Sequence, residues 1–415
     1  MTKPRLVKVR ALFHVLQQLM KRGCIRILIH PHWEVKKLRA FFDRRNTKVS
    51  DTDYQPLSVT KNGIVPQMEN VAKSKDSDNR RLVKIGDFVI NSRSDRKGSS
   101  GVSSLEGSVS FVNTIMTPRQ NVVPAYCNYL LKSIAFVEEN YRNGHGIVAD
   151  LWTTSFDEQK LIKLAMPPIL EQEAIVAYLD KATTEIDRAI EVQQEMIDAL
   201  NERKQIIITC AVTRGLNPDA PLRDSGIDWL GQIPAHWDTR KIKFLAILKS
   251  GKNLTSEQIS PEQRDNFHPV YGGNGVRGYY SKFNTSGDFA IIGRQGALCG
   301  NVNYAHGQFW ATDHAVVCYP IFNFILLWFG ETLKVANLNQ YATQSAQPGL
   351  SVERVKNVSL PCPPKNEMLK IADYIQKVIS EFSPAITHCE RMISLLQERK
   401  QIIINEVVTG KKKVI

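Results

Sequence analysis

The stretch HPVYGGNGVRGYY, residues 268–280, carries Gly273, Gly275 and Gly278 in the G-x-G-x-x-G spacing that lets a backbone approach a dinucleotide pyrophosphate. That use needs a helix opening at the last glycine and an acidic residue ~20 positions on. Here YYSKFNTSGDFAIIG follows, which is strand and turn sequence, so the glycines read as a permitted turn in a β-rich block. Asn274, Arg277 and Lys282 flank that turn, where backbone N–H groups and a guanidinium suit a phosphate or a base edge. In IIGRQGALCGN, residues 291–301, Arg294 and Gln295 stand between Gly293 and Gly296. Arginine pairs with the O6/N7 edge of guanine and glutamine with the N6/N7 edge of adenine. The same two residues also suit a solvated turn. NSRSDRKGSSG, residues 91–101, supplies Arg93, Arg96 and Lys97 for DNA contact, with a plain surface loop as the alternative.

Other chemistry finds little footing. The sequence holds no G-x-x-x-x-G-K-[ST], H-E-x-x-H or G-x-S-x-G. Pro167-Pro168 and Pro363-Pro364 lack the preceding Asn or Asp of an amino-methyltransferase box, so a standalone methyltransferase has no cofactor motif. Asp313-His314 reads as a structural histidine. Seven cysteines are scattered without zinc-ligand spacing and read as reduced, mostly buried thiols, and no metal site is expected. No apolar run reaches the ~18 residues of a membrane span, and no signal peptide is recognisable, which predicts a cytoplasmic protein.

Net charge is +13 over 415 residues, which suggests an anionic partner. Its distribution weakens the argument: residues 1–48 carry +11, and residues 49–415 only +2.

The chain repeats itself. NERKQIIITCAVTRG at 201–215 recurs as QERKQIIINEVVTGK at 397–411, and nine of the twelve positions from Glu202 to Thr213 match the residue 196 further on. The same offset pairs Pro167-Pro168 with Pro363-Pro364 and Glu171 with Glu367. HWEVKKL at 32–38 resembles HWDTRKI at 236–242, and GDFVI at 86–90 resembles GDFAI at 287–291. Apolar residues at Ile175, Leu179, Ala182, Ile186, Ile190, Ile197 and Leu200, with Gln193 in step, recur at Ile371, Ile375, Val378, Phe382, Ile386, Cys389, Ile393 and Leu396. That spacing is an a/d-like seam, and two copies favour helices paired with each other. Ser383-Pro384 fits an N-cap followed by proline at the first helical position, so each copy is expected to break there or near Thr183-Thr184. A helix of about 25–30 residues gives a rod of ~40 Å, close to one turn of B-DNA at ~34–36 Å. The blocks between read as mixed α/β, with helices at 125–140 and 322–334.

PPILEQEAIVAYLDKATTEIDRAIEVQQEMIDALNERKQIIITCAVTRGLNP with DSGIDWLGQIPAHW closely resembles the specificity subunit of type I restriction–modification enzymes. PVYGGNGVRGYY, GRQGALCGNV and FWATDHAVV look like that family's target-recognition domains, and QPGLSVERVKNVSLPCPP like the segment that closes one. The resemblance implies an α/β, pseudo-twofold chain: two mixed α/β target-recognition domains joined by long helices paired as an antiparallel coiled coil. Its segments would be an atypical basic N-terminal stretch (1–31), recognition domain 1 (32–167), a helical spacer (168–215), a linker (216–234), recognition domain 2 (235–360) and a second helical spacer (361–415). The family's subunit has no catalytic activity. Each recognition domain reads one half of a split site in double-stranded DNA. The helices set the gap and dock two modification (methyltransferase) subunits and the restriction (endonuclease/translocase) subunits. The expected subunit-interface residues are Ile186, Ile190, Ile197, Leu200, Ile386, Ile393 and Leu396. No cofactor is expected in this chain; S-adenosylmethionine, ATP and Mg are expected on the partner subunits. Residues 1–30 depart from the family's usual opening.

Overall fold

The structure, a computed structural model, describes residues 32–68, 79–93, 96–146, 152–296, 298–321, 325–343 and 348–414. The basic N-terminal segment, with Cys24, lies outside them. The chain forms two compact units, Met1–Val192 with Met392–Ile415, and Gln193–Arg391.

The first unit opens with strand Glu34–Lys37, paired antiparallel with Lys163–Met166. Its main sheet runs in the order Phe42–Arg45, Asn113–Pro118, Phe88–Asn91, Ser100–Val102, with every neighbour antiparallel. Strand residues alternate faces, which sorts the core in two. Phe88, Ile90 and Met116 pack with Phe42, Tyr126, Ile175 and Leu179. Val89 and Ile115 pack on the other side with Leu57, Ile64, Val83 and Val109. The helix expected at 125–140 is two, Pro124–Lys132 and Ile134–Arg142. Ser133 separates them in an extended conformation: its hydroxyl accepts from Phe136 N, at 3.3 Å, and donates to Leu130 O, at 2.6 Å. A side chain that serves backbone groups on both sides competes with continuation of the helix.

The second unit repeats the plan. Asp238–Lys241 pairs antiparallel with Ser359–Cys362, and the main sheet runs Ala246–Ser250, Ala315–Pro320, Phe289–Gly293, Val302–Ala305. Leu326–Val335 is the helix expected from 322–334. The linker 216–234 is ordered in this unit. It carries a short antiparallel pair, Leu222–Asp224 with Gln232–Pro234, and its Leu230 and Ile233 join the unit's core.

Strand pairing aligns the repeats more finely than the sequence does. Phe88 faces Met116 and Val102; in the second unit Ala290 faces Cys318 and Tyr304, each 202 residues on. The GDF motifs match at an offset of 201 and are thus one residue out of structural register. A one-residue slip exchanges sheet faces. Phe88 accordingly packs on the helix side, while Phe289 packs on the opposite side, against Ile291, Phe309 and Tyr319. Asp87 is 1% exposed, whereas the side chain of Asp288 is 65% exposed.

The long helices are Ile169–Arg214, 46 residues, and Lys365–Val408, 44 residues. Both expected breaks are absent. Pro384 lies inside a continuous helix, and Thr183 is a buried helical residue whose hydroxyl lies 3.3 Å from that of Tyr129. Proline in a helix interior costs ~3 kcal/mol, against roughly 1.5–3 kcal/mol for each large apolar side chain buried. Packing of Ile371, Ile375 and Val378 before Pro384, and of Cys389 after it, outweighs the local preference.

Every seam position is buried or half-buried, and none is exposed. In the first unit Val407 and Val408 share a core with Ile175 and Leu179. Lys400 Nζ meets Asp187 at 2.6 Å and Lys412 Nζ meets the Tyr178 hydroxyl at 2.6 Å, so the two segments run antiparallel. In the second unit Ile208, Ala211 and Val212 pack with Met368, Ile371 and Ile375. Cys127, Cys299, Cys318, Cys362 and Cys389 are buried free thiols, as expected, and Cys210 is exposed. Burial pushes the Cys127 and Cys318 thiols up.

Candidate nucleic-acid interface

Each block is seated on a long helix by its His-Trp pair. His32 Nε2 lies 2.8 Å from Glu171 Oε2, and Trp33 Nε1 donates to Glu171 Oε1 at 3.0 Å. His236 Nε2 lies 2.9 Å from Glu367 Oε2, and Trp237 is fully buried beside it. The repeat marks His-Trp and Glu, far apart in sequence, thus meet in both units. Buried Gln172 fixes the adjoining Pro-Pro junction. Its Nε2 donates to Asn121 O and Pro167 O, and its Oε1 accepts from Val123 N.

With the blocks seated this way, equivalent loops lie at the ends of equivalent strands. In the first unit Ser92 N donates to Val112 O, and Thr154 N to Ser92 O. In the second, Arg294 N donates to His314 O, and Leu350 N to Arg294 O. Arg93 bridges Thr153, and Gln295 bridges Gly349. Arg93 therefore holds the place of Gln295, and Ser92 that of Arg294. The loops that follow the two GDF strands are thus the same loop in two copies.

Arg93 and Arg96 are exposed in the first unit. Lys97 is tethered: its Nζ is 2.8 Å from Glu138 Oε1 and 4.5 Å from the centre of the Tyr141 ring. Tyr141 and Trp152 stack at 5.7 Å beside Arg93.

In the second unit YGGNGVRGYY is a hairpin, not a nucleotide-binding turn. Strand His268–Gly272 pairs with Gly275–Tyr280 across the two-residue loop Gly273-Asn274. Gly275 has φ +90°, and Gly278, at +149°, has the Ser260 backbone where a Cβ would stand. Gly293 meets the hairpin tip so closely that a Cβ on it would lie 1.8 Å from Gly273 O. Asn301 reinforces the contact: its carbonyl accepts from Gly293 N at 2.9 Å, and its Nδ2 donates to Asn274 Oδ1 at 2.8 Å. Arg294 Nη1 reaches Ser250 Oγ at 3.4 Å. Asn274, Arg294 and Gln295 are thereby assembled at one end of the block. Arg277 lies against Gly272, and exposed Lys282 follows the far end of the second hairpin strand. The sequence did not mark out Asn301, Ser250 or His314 as members of this cluster. Asn301 ends the loop that carries Arg294, and its glycine neighbours at 293 and 300 were its only signal.

Gly293→Ala is expected to cost about 1–3 kcal/mol, because the new methyl must push back a backbone carbonyl. Urea unfolding would measure it. A change below about 0.5 kcal/mol would show that the hairpin tip yields freely.

The expected interface residues Ile186, Ile190, Ile197, Leu200, Ile386, Ile393 and Leu396 lie on the inward seam of the helices. Exposed apolar residues on the long helices include Ile169, Leu170, Leu369 and Tyr374 near their starts and Val192, Met196, Ile206, Leu395 and Ile402 further along. Among the described residues no cluster of three or more His, Cys, Asp or Glu is placed to hold a metal ion, and no helix is long and apolar enough to cross a membrane.

Residues 234–388 match the type I restriction modification DNA specificity domain. The specificity subunit of the type I restriction enzyme EcoprrI from Escherichia coli is 37% identical over 151 residues, 35% of this chain and 38% of that protein. The matched stretch thus spans well under half of that relative. A solved structure, described as addressing complex assembly and conformational transition of the type I R-M system, superposes with a TM-score of 0.65. It covers 92% of this chain and 99% of its own, at 15% identity. The HsdS subunit from Thermoanaerobacter tengcongensis covers 92% and 98% at a TM-score of 0.43 and 15% identity. At such identities the likeness to solved structures concerns the fold.

Proposed function

We propose that this chain, whose residues 234–388 match the type I restriction modification DNA specificity domain, is a type I restriction–modification specificity subunit and reads a split site in double-stranded DNA for a cytoplasmic complex. Each unit reads one half of the site, and the chain itself performs no catalysis. Arg93 and Arg96 serve the first half; Asn274, Arg277, Lys282, Arg294 and Gln295 serve the second. Two modification subunits and the restriction subunits dock on the long helices. They meet outward side chains such as Val192, Met196, Ile206, Leu395 and Ile402, because the seam residues are buried or half-buried. S-adenosylmethionine, ATP and Mg belong to those partners.

One observation carries this reading: a single loop, at the end of a single strand, is built twice and bears Arg93 in one unit and Arg294-Gln295 in the other. Phosphate contacts position a protein on DNA, and base-edge contacts give it sequence. An enzyme with one substrate has no use for two such readers with different side chains.

Arg294→Ala tests the assignment. Assembled with the cognate modification subunits, the variant is expected to relax selection within one half-site by about 1–3 kcal/mol and to leave the other half intact. Methylation-sensitive sequencing of DNA from cells carrying the assembly would report both halves. Equal loss at the two halves would refute one reader per unit.

A further inference from the structure

We propose that Asn274 and Asn301 together form an adenine-reading element in the second unit, an inference that rests on the DNA-reading function above.

The two side chains are exposed and hydrogen-bonded to each other, Asn301 Nδ2 to Asn274 Oδ1 at 2.8 Å. The bond uses one of the two N–H donors of Asn301 and one of the two lone pairs of Asn274 Oδ1, so the wholly uncommitted groups are the Asn274 NH₂ and the Asn301 carbonyl. Reversing the direction of the bond likewise leaves one NH₂ and one carbonyl uncommitted, a donor and an acceptor on adjoining side chains. In the major groove adenine presents N7, an acceptor, beside N6–H₂, a donor. That edge is complementary to the pair. Guanine presents two acceptors, so the free carbonyl would face O6 with no proton between them. Thymine offers an acceptor beside a methyl group, and cytosine a donor alone.

The pair is held ready. Asn274 occupies the two-residue hairpin loop, whose Gly273 carbonyl sits against Gly293. The Asn301 backbone is bonded to Gly293 N and to Leu298 O. The anchored backbones and the mutual side-chain hydrogen bond reduce the freedom to be lost on binding, which favours a specific contact over a solvated one. Beneath the loop, Asn303 Nδ2 is buried and has no hydrogen-bond partner among the described residues, and its amide lies against Gly275. The cluster is thus made of amides, with the Arg294 guanidinium alongside, tied back to Ser250.

The experiment uses the full chain assembled with its modification subunits and a pool of randomised DNA duplexes. The wild-type assembly is expected to fix adenine at one position of the half-site read by this unit. Asn301→Ala and Asn274→Ala are each expected to reduce that preference about 5- to 150-fold, with every other fixed position kept. Placing 7-deazaadenine there, which lacks the N7 acceptor, should weaken the wild type and leave Asn274→Ala unaffected. Should Asn301→Ala fail to fold, Asn274→Ala and the deaza substitution decide the matter. If both variants select the same adenine as strongly as before, or 7-deazaadenine is accepted without loss, the amide pair is not the reader, while the proposed function stands. If the wild-type assembly selects no sequence at all, the proposed function falls and takes this inference with it.

Discussion

Asp87→Ala is expected to lower the unfolding free energy of the first unit by about 3–5 kcal/mol, because it strands a guanidinium at the edge of the core. The carboxylate is 1% exposed and fully used. Its Oδ2 accepts from Arg45 Nε at 2.6 Å and Lys84 N at 2.8 Å; its Oδ1 accepts from Arg45 Nη2 at 3.1 Å and Thr117 Oγ1 at 2.8 Å. Its ion pair raises Arg45 above its ordinary value, mainly through that hydrogen bond. Denaturant unfolding followed by fluorescence would give the loss. Asp288→Ala is the natural control, since its partner His306 is exposed and the pair is worth ~0–1 kcal/mol. Equal effects at the two positions would contradict the register assigned to the two sheets.

Trp237→Ala is expected to cost about 3–5 kcal/mol in the second unit, the usual price for emptying a large buried aromatic site. Trp237 is 1% exposed and packs in the core that holds the start of the second long helix. Unlike Trp33, its indole nitrogen has no hydrogen-bond partner among the described residues, so packing alone holds it. Amide exchange at Met368–Ile375 should speed up in the variant. Unchanged exchange there would show that the His236–Glu367 contact is enough to seat the block.

Both effects illustrate what the sequence displays and what it conceals. The paired seams at Ile175–Leu200 and Ile371–Leu396 are legible because helical periodicity is a direct imprint of burial. The duplication is legible by direct identity at an offset of 196, much of it at exposed positions such as Glu202, Arg203 and Gln205, and with it the resemblance to specificity subunits. Strand register is not. GDF occurs in both repeats, but the repeats differ by one residue between this motif and the ladder that places it, so Phe88 and Phe289 face opposite ways. Helix continuity through Pro384 was hidden as well, because its local cost is visible in the sequence and the compensating core contacts are not. Of the candidate DNA-contact residues, Asn274, Arg294 and Gln295 lie in glycine-flanked loops that the fold brings together at one end of the second block. Composition gave no sign that Lys97 would be drawn to Glu138 and Tyr141, or that Asn301 would reach Asn274.

In each unit the strand that leads into the block lies beside the strand that leads out: Glu34–Lys37 against Lys163–Met166, and Asp238–Lys241 against Ser359–Cys362. The spacing between repeats is 204 residues at the first of these strands (Glu34 to Asp238) and 196 at the second (Lys163 to Ser359), so the second block is shorter by eight. Adjacent ends act like a zip fastener closed at the base of a pouch. Loops inside can lengthen, shorten or change their side chains without levering on the helices beneath. Such a joint lets a lineage refashion the loops of one block while the mounting stays untouched.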